Sequence, residues 1–298
     1  MTIFALSTGI GASGVAIIRI SGPETNFLIK SLTNKALPKP REATLLELNN
    51  INNNRPIDQG IVLWFPGPKS YTGEDMAELH VHGSKAVVKE LQETLLSTKK
   101  CRMAEPGEFT KLAFLNGKIN LLQAEAIGDL IAAETEIQLE QAQNIIKGKS
   151  FLKFNDLREK LIKVLSKIEA KIDFPEEDLP PNVLKDIKKD VSIIENEIKK
   201  ILTSYEVGER IRTGYKIAIV GPPNSGKSTL MNYLSKRNVA IVSDVAGTTR
   251  DVLQTNLNFY GYPVIISDTA GIRDSKDVIE KEGIKLAFEK AEEADLRI

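Results

Sequence analysis

The sequence predicts a multidomain chain that joins α/β parts to an all-α part. Three observations carry the prediction. Short apolar runs separated by turn signals fill the chain up to Asn120. Helix formers with an apolar stripe at three-four spacing take over from Leu121. At Lys216 a buried-type strand, KIAIV, runs straight into a glycine-rich loop. The boundaries follow these changes of texture: residues 1–119, 120–212 and 213–298.

In the first part, Val15–Ile20 (VAIIRI) and Gly60–Phe65 (GIVLWF) read as strands, bounded by Ser21-Gly22-Pro23 and Pro66-Gly67-Pro68. Ala77–His82 (AELHVH) alternates and reads as another strand. Ser84–Ser97 is helical, with Val87, Val88, Leu91 and Leu95 at helical spacing, and Asn49–Asn54 is an exposed polar loop. Arg19 interrupts an apolar strand, so it is expected to pair with something. His80 and His82 share a strand face as a two-residue metal motif without a third ligand. The second part is rich in helix formers through Phe174, with Gly128 marking a close helix contact and Gly148 a break. Asp173–Pro181 (DFPEEDLPP) stops it, and an amphipathic helix follows from Val183 to Ser204.

Composition excludes some classes. Hydrophobic residues are 42% and charged residues 27%, an ordinary globular mixture. Lys+Arg and Asp+Glu are 40 each, so bulk charge gives no argument for a nucleic acid or a membrane. The lone cysteine, Cys101, rules out a disulfide framework and reads as an inert structural or surface thiol. The N-terminus has no basic segment followed by an apolar run, and no stretch approaches the roughly 20 apolar residues of a membrane span, so the expected location is the cytoplasm, with no membrane partner.

Gly221-Pro222-Pro223-Asn224-Ser225-Gly226-Lys227-Ser228 is G-x-x-x-x-G-K-S, a phosphate-binding loop. Its glycines let backbone N–H groups curl around phosphate oxygens, and the helix that follows (STLMNYL) aims its N-terminus at the same charge. Lys227 is expected to reach the β- and γ-phosphates and Ser228 to ligate Mg²⁺. Downstream, VIISDTAG is an apolar strand ending in Asp-x-x-Gly. There Asp268 holds Mg²⁺ through water and the Gly271 N–H bonds the γ-phosphate. Between the two lies SDVAGTTRD, residues Ser243–Asp251, a switch segment in which Thr249 closes over Mg²⁺.

GPPNSGKST, DVAGTTRDV and DTAGIRD together resemble the translation-factor-related GTPases with an asparagine in the loop. IIRISG, DQGIVLWFPGPKSYTGEDMAELHVHG, EPGEFTKLAFLNGKINL and QAEAIGDLI resemble the tRNA-modifying GTPases of the MnmE (TrmE) type, over essentially the whole chain. The resemblance implies an N-terminal α/β folate-binding domain that also dimerises, a helical domain, and the first part of a P-loop GTPase α/β domain inserted into it. It implies hydrolysis of GTP coupled to modification of the tRNA wobble uridine. An FAD-dependent MnmG-type partner and a 5-formyl- or methylene-tetrahydrofolate are implied with it. The implied GTP contacts are Asn224, Ser225, Gly226, Lys227, Ser228 and Thr229, then Ser243, Asp244, Val245, Ala246, Gly247, Thr248 and Thr249, then Asp268, Thr269, Ala270 and Gly271.

Ile272 stands where Ras-like enzymes place a water-orienting glutamine, and isoleucine cannot do that work. The resemblance assigns charge neutralisation to K⁺ held by Asn224, Ser243, Val245 and Thr248, and catalytic water to Glu280; the folate positions it implies are Arg19, Glu78 and Lys118. The family's reactive cysteine lies in a C-terminal Cys-x-Gly-Lys, which Cys101 does not match. The guanine-reading Asn-Lys-x-Asp motif does not occur before Ile298, so the chain is expected to be part of a longer protein, its guanine preference following from the resemblance alone. Two other readings stay open: a non-enzymatic folate-binding, dimerising module with an inactive nucleotide stub, and a different GTPase such as a ribosome-assembly factor.

Overall fold

A computed structural model of the chain describes residues 1–173, 182–221, 225–237, 239–240, 254–268 and 291–298. The described residues form two compact units, 1–124 and 125–298.

The first unit runs β1 (Thr2–Leu6), β2 (Ser13–Ser21), α1 (Thr25–Thr33), β3 (Thr44–Asn49), β4 (Pro56–Phe65), β5 (Met76–Gly83), α2 (Lys85–Ser97), β6 (Cys101–Met103) and α3 (Glu108–Leu115). The strands make one sheet in the order β3-β4-β5-β2-β1-β6, antiparallel except where β6 joins β1. Alternation sets its two faces. Ile18, Ile20, Val62, Trp64, Leu79 and Val81 point to one side, where Leu28 and Leu32 of α1 and Leu91 and Leu95 of α2 complete a buried core. Arg19, Glu78 and His80 alternate to the other side, together with the exposed Leu45 and Ile61. α2 starts cleanly because the Ser84 hydroxyl accepts from the Val87 N–H, at 3.1 Å.

The strands and helix read from VAIIRI, GIVLWF, AELHVH and Ser84–Ser97 are all present, the strands longer at one or both ends and the helix starting at Lys85, with Ser84 as its cap. β1, α1, β3, β6 and α3 had no such reading. β1, for example, is only five residues long, and it is a strand because β2 and β6 flank it.

The second unit continues α4 (Leu121–Ala132), whose first turn falls in the first unit, into α5 (Glu136–Ile146), α6 (Lys149–Asp173) and α7 (Val183–Thr213). Thr135 and Gln138 form a reciprocal capping box at α5. Gly148, at φ +83°, is the break expected from the sequence. Gly128 is not a close contact: no atom lies within 4 Å of where its Cβ would be, and it is an exposed position inside α4. α7 also runs past the expected Ser204 to Thr213, because Glu209, Arg210 and Arg212 are compatible with helix and nothing before Gly214 stops it. α6 and α7 are antiparallel partners, since Lys160 pairs with Glu197 and Lys167 with Asp190. Leu157 and Val164 meet Ile187 and Ile194 along a buried seam with a seven-residue repeat.

The chain then forms β7 (Tyr215–Ile219), α8 (Lys227–Arg237), β8 (Val239–Ala240), β9 (Gln254–Phe259), β10 (Tyr262–Asp268) and β11 (Leu296–Arg297). They build a sheet in the order β11-β7-β10-β9-β8, with β10 and β11 parallel to β7. Ile219, Met231, Leu257, Val264 and Ile266 form its core. The multidomain α/β plus all-α layout read from the sequence is the layout of the structure.

Two glycines should respond in opposite directions. A Cβ on Gly60 would lie 2.3 Å from the His80 carbonyl oxygen of the adjacent strand, so Gly60→Ala forces β4 and β5 apart. Thermal unfolding should show Gly60→Ala destabilised by about 1–3 kcal/mol. Gly128→Ala should instead stabilise by about 0.5–1 kcal/mol, since it removes backbone entropy from a helix with open space beside it.

Candidate functional site

In the first unit, the register of β2 against β5 sets Arg19 directly opposite Glu78. The Arg19 Nε and Nη2 both donate to Glu78 Oε1, at 3.1 and 2.8 Å. The guanidinium carbon also stands 5.5 Å from the Tyr71 ring centre and 5.6 Å from that of Phe109. The pairing expected for Arg19 is therefore with a carboxylate and with two aromatic faces. On the far side of Glu78, the His80 Nε2 is 3.4 Å from Oε2.

Lys118 is placed by a different set of contacts. Its Nζ donates to the Pro68 carbonyl oxygen, at 2.8 Å. Pro68 belongs to the loop 66–75 that carries Tyr71. Among the bonds that tie that loop down are Tyr71 to Thr110 through their hydroxyls (2.9 Å), the Asn116 Nδ2 donating to the Thr72 carbonyl oxygen (2.7 Å), and Ser21 to Thr72 through their hydroxyls (2.7 Å). Gly73 sits in the same bend at φ +83°, where a Cβ would press on Asn116 and on the Lys118 methylenes. Arg19 and Glu78 thus meet directly, while Lys118 reaches the loop that flanks them. Tyr71 and Phe109 were not singled out from the sequence. Tyr71 lies in a loop and Phe109 in the apolar helix EFTKLAFL, and no periodicity points from either to Arg19.

The two histidines are each taken up by a carboxylate. The His82 ring is 2.9 Å from Asp58 Oδ1, and its backbone N–H donates to Asp58 Oδ2. Burial pulls the Asp58 carboxyl upward, but these bonds from His82, with that from the Gln59 N–H, outweigh it and hold the group below its ordinary value. No group of three His, Cys, Asp or Glu side chains suited to a metal occurs among the described residues. Cys101 is buried in β6 and its Sγ donates to the Leu95 carbonyl oxygen.

In the second unit, β7 ends at Ile219 and the chain enters the glycine-rich loop. Gly226 takes φ +91°, a conformation that favours glycine, immediately before α8 starts at Lys227. Lys227 is 7% exposed, and its Nζ donates to the Gly221 carbonyl oxygen across the loop, at 2.7 Å. A cation is therefore held beside the N-terminal turn of a helix, the arrangement that binds phosphate oxygens. Ser225 and Thr229 are exposed at the same turn, and Ser228 lies in it by backbone position. The register of β10 against β7 sets Asp268 opposite Ile219, at the strand ends from which the loop springs. Asn224, Ser243–Thr249, Thr269–Gly271, Ile272 and Glu280 lie outside the described residues.

A strand-loop-helix unit on a mixed sheet, with the lysine at the helix start bonded to the first glycine of the loop, defines a P-loop nucleotide-binding protein, here following a separate α/β unit and a helical segment in the chain. The family model described as the GTP-binding protein TrmE N-terminus matches residues 2–118, and the MnmE helical domain model matches residues 121–296. A Pelagibacter ubique protein named tRNA modification GTPase MnmE is 65% identical over 298 residues, all of this chain and 67% of that relative. Relatives with the same name from Rickettsia bellii and Neorickettsia sennetsu are 47% and 49% identical, over 100% and 99% of this chain and 67% and 53% of their own lengths. This chain belongs to the MnmE family of tRNA modification GTPases. No described helix is long and apolar enough to cross a membrane.

Burial pushes the Cys101 thiol up, with only a partial offset from Thr98. The folded state therefore favours the neutral thiol, a contribution complete below the unfolded value and lost as pH rises through the folded one. An aromatic disulfide reagent at pH 8 should leave Cys101 unmodified in the native chain and label it on unfolding. Rapid native labelling would contradict its burial.

Proposed function

We propose that this chain acts within a GTP-hydrolysing, K⁺-dependent protein that modifies the tRNA wobble uridine with an FAD-dependent MnmG-type partner and a reduced folate. The observation that carries the proposal is similarity over all of this chain to 67% of a named tRNA modification GTPase, together with the bond from Lys227 to the Gly221 carbonyl at the phosphate loop. In this reading residues 1–119 bind 5-formyl- or methylene-tetrahydrofolate and form the homodimer. Residues 120–212 are the first part of the helical domain, and residues 213–298 begin the GTPase domain. The setting is the cytoplasm.

Among the described residues, those at the start of α8 suit the phosphates of GTP, while the cation positions follow from the family resemblance. Lys227 and the α8 N-terminus offer positive charge and backbone donors to the β- and γ-phosphates of GTP. Ser228 and Thr249 would hold Mg²⁺, while Asn224, Ser243, Val245 and Thr248 would hold K⁺. Cations held at these positions would neutralise charge that develops on the phosphates. The remaining nucleotide contacts fall to Ser225, Gly226, Thr229, Asp244, Ala246, Gly247, Asp268, Thr269, Ala270 and Gly271. The family resemblance gives the attacking water to Glu280, in place of the polar group that Ile272 does not offer.

In the first unit the Arg19 fork and the Glu78 carboxylate supply donors and acceptors on one sheet face. Lys118 adds positive charge from the adjoining loop, which suits the acidic tail of a folate.

Two tests separate the parts of this reading. In a protein of the relatives' full length, Glu280→Ala should slow GTP turnover by at least about tenfold, where such groups contribute about 10²–10⁴-fold, with little change in nucleotide affinity. Asn224→Ala should abolish stimulation by K⁺ over Na⁺. Parental turnover in the Glu280 variant, or equal rates in Na⁺ and K⁺ before mutation, would sink the hydrolysis assignments. Separately, calorimetry with 5-formyl-tetrahydrofolate should detect binding that Arg19→Ala weakens by about tenfold or more, the cost of removing a charged partner. No heat at high micromolar ligand would remove the folate reading and leave the GTPase reading standing.

A further inference from the structure

Arg19 is held more firmly than one ion pair requires. Two of the five N–H groups of a guanidinium go to Glu78 Oε1, one from Nε and one from Nη2. Two aromatic faces from two different elements, the loop 66–75 and α3, add contacts at 5.5 and 5.6 Å, inside the reach of about 6 Å for a cation over a ring. The side chain remains 28% exposed, and its Nη1 edge makes no hydrogen bond to the described residues. Tyr71 and Phe109 are themselves only half-buried, so neither is explained by the core of the first unit.

A long charged side chain on an open sheet face ordinarily samples many rotamers. That freedom must be lost before its planar donor fork can meet a planar acceptor. Here the loss has already occurred within the protein. Glu78 fixes one edge of the guanidinium, and the two rings restrict rotation of its plane. The Tyr71 hydroxyl is meanwhile committed to Thr110, the residue after Phe109, so the two rings are linked to each other as well.

We propose that Tyr71 and Phe109 are positioning residues of the ligand site, an aromatic cradle that fixes the Arg19 guanidinium so that its Nη1 edge stands ready for a carboxylate or carbonyl oxygen of the ligand. The proposal rests on the reading of Arg19 and Glu78 as part of a reduced-folate site. It adds which residues make that site receptive before the ligand arrives. The chemistry is that of preorganisation: the rings touch Arg19, and they act on the ligand through it.

The test uses the whole 298-residue chain and two readouts. One is 5-formyl-tetrahydrofolate affinity by calorimetry. The other is the NMR resonance of the Arg19 Nε–H without ligand, which neighbouring ring faces displace from its free-arginine position. Tyr71→Leu and Phe109→Leu should each weaken binding about tenfold and move the resonance toward that free position, whereas Tyr71→Phe should recover both, to within about twofold in affinity, because it keeps the ring and loses only the hydroxyl. If Tyr71→Phe loses as much as Tyr71→Leu, the residue acts as a loop anchor through Thr110 and the cradle is overturned. Leu variants that bind like the parent with an unmoved resonance overturn it as well. Should either Leu variant melt early, the Met variants, which fill similar space without a ring face, carry the same comparison. A parent that binds no folate refutes the folate reading but not the cradle. The resonance then decides alone: unmoved in the Leu variants, the cradle fails; moved there and restored by Tyr71→Phe, it stands.

Discussion

The register of β2 against β5 is the constraint on which the first unit depends. Ile18 lies opposite Leu79 and Arg19 opposite Glu78. Because side chains alternate strictly along a strand, a slip of β2 by one residue would turn Ile18 and Ile20 out of the core and drive Arg19 into it, and the same slip of β5 would do so to Leu79 and Val81 and to Glu78 and His80. Burying that charged set unpaired would cost far more than any alternative pairing returns. Hydrophobic burial on one face therefore specifies the polar constellation on the other, and the candidate ligand site is a by-product of a well-determined core.

Both candidate sites share a further device. Each holds a cation against an acceptor of its own backbone or sheet before any ligand is present: Lys227 on the Gly221 carbonyl oxygen, Arg19 on the Glu78 carboxylate. The consequences differ. A carbonyl is a neutral partner, so phosphate oxygens compete with it easily for Lys227. A carboxylate is a charged partner, so Arg19 keeps Glu78 and has only its outer edge to offer. The first arrangement suits a group that must bind and release a highly charged substrate. The second suits lasting recognition of a flat ligand with both donors and acceptors.

Much of this was legible in the sequence for identifiable reasons. GPPNSGKS carries its mechanism in its spacing, and KIAIV before it and STLMNYL after it are the context that the loop needs. AELHVH shows period-two patterning, and the odd charge of Arg19 in the apolar run VAIIRI announced a partner. The partner's identity came only from strand pairing, which links residues 59 positions apart. The aromatic faces of Tyr71 and Phe109 were invisible for the same reason: they converge from a loop and a helix with no shared periodicity. β1 and β6 are too short for pattern, and Gly128 misled because a glycine inside a helix looks like a contact whether or not a neighbour arrives. The GTPase switch positions and Glu280 rest on the family resemblance and lie outside the described residues.

The central claim is that Arg19 and Glu78 act as one unit because the sheet register makes them one. A double-mutant cycle on reduced-folate affinity tests it most directly, with Arg19→Ala, Glu78→Ala and the double variant measured by calorimetry on the full chain. The account predicts strong non-additivity: the double variant should lose about as much as either single one, a coupling of at least about 1 kcal/mol. Losses that simply add would contradict it, and would mean that the two residues meet the ligand independently of their bond to each other.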